Sequence, residues 1–136
     1  MIKALILKEI LNVIKPINNY MQIMNSAYTD KFLVLRHFGW LKGFDLIVHE
    51  NSGAKVKQIS KGVYFVCGVV VRKEFQGKGL GKDLMNEIHK KYQGVFILKT
   101  KDARSFYNKL GYVTIHTNKK KHHYTMVYCN DDKDII

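Results

Sequence analysis

Apolar and polar positions fall along this chain in short blocks whose period changes several times. Leu7, Ile10, Leu11 and Ile14 recur at helical spacing, which predicts a helix over Lys8 to Lys15 with one buried stripe. Ile2 to Leu7 is a short strand or the start of that helix, and Pro16 ends or kinks it. Asn18 to Asn25 add a turn or two with Tyr20, Met21 and Met24 facing inward, while Phe32 to Phe38 fits a strand as well as a helix capped by Thr29 or Asp30. From Gly43 the pattern sharpens. Phe44, Leu46 and Val48 alternate with Asp45, Ile47 and His49, a strand signal; Asn51-Ser52-Gly53 is a turn, and Lys55 to Ile59 a return strand. Lys61-Gly62 punctuates, and Val63 to Val71 is a near-continuous apolar run of the kind an internal strand carries.

Leu80, Leu84, Ile88 and Tyr92 then mark a helix that Gly94 stops. Val95 to Leu98 is a short buried strand, and Ala103 to Leu110 a helix ended by Gly111, where a left-handed conformation is needed. Tyr112 to His116 and Tyr124 to Tyr128 form a hairpin around the basic loop Thr117 to His123, followed by a frayed acidic tail from Asn130 to Asp134. The order from Val63 onward is β–α–β–α–β–β, with no repeat and no linker.

Between the apolar strand and its helix lies Gln76-Gly77-Lys78-Gly79-Leu80-Gly81-Lys82. Glycines at alternate positions let the backbone turn tightly and bring its N–H groups close to a ligand. The helix that follows leaves its first N–H groups unpaired and is partially positive at that end, so the stretch is an anion seat suited to phosphate. The spacing is neither that of a P-loop nor that of a dinucleotide-binding loop.

Gln/Arg-x-x-Gly-x-Gly does fit, and it resembles the pyrophosphate loop of the GNAT superfamily of acyl-CoA-dependent N-acyltransferases. A second block, Asp102-Ala103-Arg104-Ser105-Phe106-Tyr107-Asn108-Lys109-Leu110-Gly111-Tyr112, is similar to that family's later motif of an alanine, Phe-Tyr and Leu-Gly-Phe/Tyr. The resemblance covers about residues 63 to 128. It implies one N-acetyltransferase domain over 1–136, an α/β GNAT-like fold with helices flanking a mixed central sheet whose parallel strands splay apart. It further implies that acetyl-CoA lies along Val69, Val70 and Val71, with backbone groups of Val69 and Val71 pairing with its pantetheine arm. Gln76, Gly77, Lys78, Gly79, Leu80, Gly81 and Lys82 would hold the pyrophosphate. Tyr107 matches the tyrosine that protonates the departing thiolate; its plain alternative is a core aromatic beside Phe106 and Leu110. Two positions depart from the family. Phe65 stands where histone-modifying relatives have a glutamate, and Thr100 where an asparagine is common, so the base is unassigned, with His49, Glu50 and Tyr64 as candidates by location.

Composition narrows the partners. One domain of 136 residues, 46% apolar with a single proline, is globular rather than disordered. No apolar stretch is long enough to cross a bilayer and Ala4 to Leu7 is too brief for a signal core, which points to the cytoplasm. Cys67 and Cys129 have no metal-ligand spacing and are expected as buried thiols; His122 and His123, adjacent on a strand, point to opposite faces and share no metal. Lysine and arginine exceed acidic residues by 23 to 11, more than coenzyme A alone accounts for. The resemblance implies a primary-amine acceptor of open class: a small molecule, a protein lysine or N-terminus, or a nucleic-acid-linked amine such as the aminoacyl-tRNA used by toxin-type relatives. The other class of reading is a degenerate module that only binds CoA or nucleic acid. Either a monomer or a homodimer suits the sequence.

Overall fold

The computed structural model describes residues 15–24, 26–27 and 43–130. Residues 15–24 are helical (α1), followed by strands Asp45–Val48 (β1), Ser52–Ser60 (β2) and Val63–Val71 (β3). A 3-10 turn, Lys73–Phe75, leads to helix Leu80–Lys91 (α2), strand Val95–Thr100 (β4), helix Arg104–Lys109 (α3) and strands Val113–Asn118 (β5) and His123–Cys129 (β6). The strands make one mixed sheet in the order β1-β2-β3-β4-β6-β5. All neighbours are antiparallel except β3 and β4, which the α2 crossover makes parallel. The last strand in sequence, β6, lies between β4 and β5.

The parallel contact is short. β3 and β4 pair only at Val63–Val95, Tyr64–Phe96 and Phe65–Ile97, whereas β4 stays paired with β6 as far as Thr100–Tyr124. Beyond Phe65 the two strands part. On its other side β3 stays with β2 through a bulge: the register steps from Lys55–Cys67 to Gly53–Val70, so Gly68 and Val69 together oppose Ala54. Gly68 takes φ +61°, a conformation open to glycine, and its carbonyl accepts a 2.5 Å hydrogen bond from Tyr20 Oη of α1.

Both faces of the sheet are covered near β1–β3. Leu84, Met85 and Ile88 of α2 are fully buried against Ile47, Val56, Val66, Phe96, Leu98 and Met126. Each such helix side chain contributes roughly 1.5–3 kcal/mol relative to exposure. On the opposite face Tyr20, Ile23 and Met24 pack on Val70, with Leu46 and Val48 beside them. Lys55 is fully buried here, its ammonium 5.1 Å from the centre of the Phe44 ring, and burial lowers its pKa although Cys67 opposes the shift. Among the described residues no helix is long and apolar enough to cross a membrane.

Several expectations change. Pro16 sits within the described helical residues rather than ending them. Ile23 joins Tyr20 and Met24 in the core while Met21 is only half-buried, and β2 begins at Ser52, inside the predicted turn. Cys129 is exposed rather than buried, and both cysteines are free thiols. Asn130, assigned to a frayed tail, is a clamp: its Oδ1 accepts from Gly94 N, and its Nδ2 donates to the carbonyls of His89 and Tyr92. The readings of Lys8 to Ile14, of the segment around Phe32 to Phe38, and of the tail beyond Asn130 lie outside the described residues.

Gly94 does not stop α2, which already ends at Lys91 with Tyr92 extended. It adopts φ +146°, and a Cβ there would lie 2.1 Å from Gly62 O, the carbonyl that accepts Val95 N and ties the start of β4 to the start of β3. Gly94→Ala is expected to lower stability by about 2 kcal/mol or more, combining an unfavourable φ with a backbone clash. Chemical denaturation of both proteins checks this, and an unchanged midpoint refutes it.

Candidate active site

The chain leaves β3 at Val71 and is tied down at once. Arg72 N donates to Asn51 O at 2.7 Å, Lys73 N to Ser26 Oγ at 3.2 Å, and the Gln76 side chain reaches back to donate to Val71 O at 3.0 Å. Between these anchors and α2 the glycines divide their work. Gly77 and Gly79 have φ +78° and +85°, while the space where a Cβ would stand is open, so they are needed for backbone conformation. Gly81 lies inside the helix, where a Cβ would come within 3.3 Å of the Phe106 ring, so its smallness lets α3 approach α2. Gly79 caps α2 in a left-handed conformation and offers no side chain to the first turn. The N–H groups of Leu80, Gly81 and Lys82 therefore have no acceptor within the helix and carry its positive end.

This loop closes one end of a cleft of about 680 Å³ that fills the gap left where β3 leaves β4. One wall is Val69, Val70 and Val71; the loop adds Gln76, Gly77, Gly79, Leu80, Gly81 and Lys82. The facing wall is α3 with its flanks, through Ala103, Phe106, Tyr107, Lys109 and Leu110. Every residue assigned from the sequence to the cofactor or to the leaving thiolate borders the cleft except Lys78, whose ammonium sits 5.3 Å over the Phe75 ring. Phe75, Ala103, Phe106, Lys109 and Leu110 complete the lining and were not foreseen as site residues. Thr100 has a local duty instead of a ligand contact: its Oγ1 accepts Ala103 N at 3.1 Å and starts α3.

Tyr107 is 7% exposed and its backbone is held on both sides. Its N–H bonds to Ala103 O, and its carbonyl accepts from Leu110 N and Tyr112 N, both at 3.0 Å. Its ring meets Phe106 edge-on at 5.0 Å and Tyr112 at 5.6 Å. Behind it Tyr112, 2% exposed, shares a 2.8 Å hydrogen bond with His89 Nε2 of α2. The His89 ring lies 4.8 Å from Phe96 and 4.5 Å from Tyr128, and burial lowers its pKa to about 4. Burial, then the neighbouring Tyr107 and Tyr128, push the Tyr112 phenol far up. Both groups are therefore neutral at physiological pH.

None of the three candidate bases borders the cleft. His49 pairs with Glu87 on α2, Glu50 is exposed in the β1–β2 turn, and Tyr64 stacks with Tyr92 and Phe96 at the start of β3, the end away from the glycine loop. Phe65 stands in the last β3–β4 pair, at the apex where the strands part. Among the described residues the cleft is lined by no aspartate, glutamate or histidine, and no three metal-ligating side chains gather anywhere. The basic turn is exposed: Lys119, Lys120 and Lys121 cap the β5–β6 hairpin next to the end of β4, and nearby Arg104 stacks 4.6 Å over Tyr124.

Residues 30–114, well over half the chain, match the acetyltransferase (GNAT) domain family. Among curated proteins none matches. Solved structures that share the fold include the PaiA N-acetyltransferase from Thermoplasma acidophilum in complex with coenzyme A, at 13% identity and TM-score 0.67, covering 85% of this chain and 94% of that one. An aminoglycoside 6′-acetyltransferase type Ii superposes with TM-score 0.67 at 15% identity, over 82% of this chain and 88% of that chain. A GNAT family acetyltransferase from Elizabethkingia anophelis with acetyl-CoA bound gives 0.56 at 14% identity, over 74% and 84%.

Proposed function

The chain belongs to the GNAT acetyltransferase family, and on that premise we propose that it passes the acetyl group of acetyl-CoA directly to a primary amine. One observation carries the reading: the gap between β3 and β4 opens onto a helix N-terminus with unpaired N–H groups, and a tyrosine faces it from the other wall. The free edge of β3 at Val69 and Val71 pairs with the pantetheine arm. The N–H groups from Gly77 to Lys82 take the pyrophosphate, Lys82 adds charge, and Gln76 braces the loop through Val71 O. The solved structures of this fold that hold acetyl-CoA or coenzyme A support this use of it.

In the reaction the neutral amine nitrogen attacks the thioester carbonyl carbon. A C–N bond forms, the C–S bond breaks, and the sulfur leaves as a thiolate. Tyr107 supplies the proton: its phenol, of pKa ~10 against about 8.5 for a thiol, hydrogen-bonds the sulfur as the C–S bond breaks, gives its proton to it, and takes a new one from solvent. The excess proton on the new amide nitrogen passes to solvent or to a base outside the residues described.

The acceptor is read from charge. Between residues 95 and 130 seven lysines and arginines (Lys99, Lys101, Arg104, Lys109, Lys119, Lys120, Lys121) face one acid, Asp102. Strand register brings the end of β4, the start of α3 and the β5–β6 turn to the same end of the sheet as the cleft mouth. Such a rim repels small cationic amines and attracts a polyanion, which favours an amine carried on nucleic acid.

Lys82→Glu tests the phosphate seat without straining the backbone, since a carboxylate in the first turn suits the helix dipole. Acetyl-CoA affinity is expected to fall about tenfold or more through loss of one charge-assisted contact and gain of a repulsive one. Calorimetry showing unchanged affinity would remove the cofactor assignment. Tyr107→Phe is expected to slow turnover roughly tenfold or more with acetyl-CoA affinity near normal; equal turnover returns Tyr107 to a packing role. For the rim, labelled tRNA and duplex DNA are titrated across a salt series. Lys119→Ser, Lys120→Ser and Lys121→Ser together should flatten the log–log salt slope by up to about three contacts' worth. No binding at low salt by the unmodified protein leaves protein and small-molecule amines as acceptors.

A further inference from the structure

The segment behind Tyr107 is more polar than packing requires. α2 presents Leu84, Met85 and Ile88 to the core, and an apolar side chain at position 89 would extend that stripe with no polar atom to satisfy. The chain instead places an imidazole between Phe96 of β4 and Tyr128 of β6 and bonds it to the hydroxyl of Tyr112. Tyr112 in turn touches Tyr107 twice, through its N–H to the Tyr107 carbonyl and edge-on between the rings. Three side chains, from α2, from the turn after α3 and from α3 itself, thus form a chain of contacts from the core to the cleft.

We propose that His89 is a positioning residue for the acetyl transfer: through its hydrogen bond to Tyr112 it fixes the ring against which Tyr107 rests, and so sets where the Tyr107 hydroxyl meets the departing sulfur. The proposal rests on the role of Tyr107 given above and adds a residue that no motif marks. A buried phenol without a partner would turn or shift to find one, and interiors packed this tightly pass such a shift to the neighbouring ring. Displacement of a catalytic group by an ångström is enough to cost much of its effect. The imidazole suits the task because its ring is wedged between Phe96 and Tyr128 with Nε2 on the Tyr112 hydroxyl, and burial, by lowering its pKa, keeps it from charging there. The other groups facing it are Phe96, Tyr112, Tyr128 and the Asn130 amide that holds its carbonyl, none of which is charged. The pyrophosphate seat lies about 14 Å away along the helix axis, from 1.5 Å per residue, so acetyl-CoA binding should not feel the change.

The test compares steady-state kinetics of five variants, with circular dichroism and melting as fold controls. His89→Leu and Tyr112→Phe remove the same hydrogen bond from opposite ends and are each expected to lower kcat about fivefold to tenfold, with KM for acetyl-CoA unchanged. His89→Gln, whose amide reaches the same hydroxyl, is expected to keep kcat within about twofold of the unmodified protein. In a Tyr107→Phe background His89→Leu should cost nothing further, because the group it positions is gone. Should His89→Leu fail to fold, Tyr112→Phe carries the comparison, since it empties no space. A slow Tyr107→Phe beside normal turnover in folded His89→Leu or Tyr112→Phe overturns the positioning role alone. So does a His89→Gln protein as slow as His89→Leu, or an added loss in the Tyr107→Phe background. Normal turnover in Tyr107→Phe removes the tyrosine's role, and the positioning role with it.

Discussion

The parting of β3 from β4 after Phe65 is the constraint on which the rest of the molecule depends. A parallel pair is held by evenly spaced hydrogen bonds, and breaking it partway along leaves backbone groups to satisfy by other means. On its β2 side β3 stays paired to its end, but only through the bulge at Gly68. The bulge twists the strand away from β4, and the Tyr20 hydroxyl holds it there by bonding the Gly68 carbonyl. Tyr20 fits because Gly53 beneath it lacks a Cβ, which would come within 2.7 Å of the tyrosine ring. A helix on the far face of the sheet therefore sets the width of a cleft it does not line.

That opening makes the glycine loop useful. A helix N-terminus against solvent is only a weak anion site, because water competes for its N–H groups and screens its dipole. Here the first turn of α2 borders a walled cleft, and Gly81 lets Phe106 close one side of it. The loop cannot drift, since Gln76, Arg72 and Lys73 each tie it to β3, to the β1–β2 turn or to Ser26 near α1. Lys82 borders the cleft in that first turn, while the Lys78 ammonium sits over the Phe75 ring and outside the lining.

Local patterns were legible and long-range closures were not. The apolar run Val63 to Val71, the glycine loop, the α2 stripe and the Phe106-Tyr107 block stand where periodicity and motif put them, because each depends on near neighbours. Gly68 hid inside the apolar run, although a glycine within a strand is itself a bulge signal. Gly94 looked like a helix stop, but its real constraint is the Gly62 carbonyl, thirty-odd residues away and visible only once β3 and β4 align. Asn130 looked like the first residue of a polar tail, for nothing nearby reveals that its amide closes on Gly94, His89 and Tyr92. The candidate bases failed for the same reason. Sequence placed them near strands that border the site, and only register shows that His49 faces Glu87 and that Tyr64 sits at the wrong end of β3.

On the proposed reading, the basic rim has a second consequence beside holding a polyanion. An amine must be neutral to attack a thioester, and a base is one way to keep it so. Positive surroundings are another, because like charge disfavours the ammonium form and lowers the amine's pKa. An amine tethered to a polyanion escapes the penalty that excludes free cations, since its carrier's phosphates pay for approach to Lys119, Lys120 and Lys121 while the amine itself meets a field that strips its proton. An α-amine already poised near pKa ~8 needs little such help, whereas a lysine near 10.4 needs more. On the proposed reading, the same excess of positive charge would select both for the carrier and for the more acidic amine upon it.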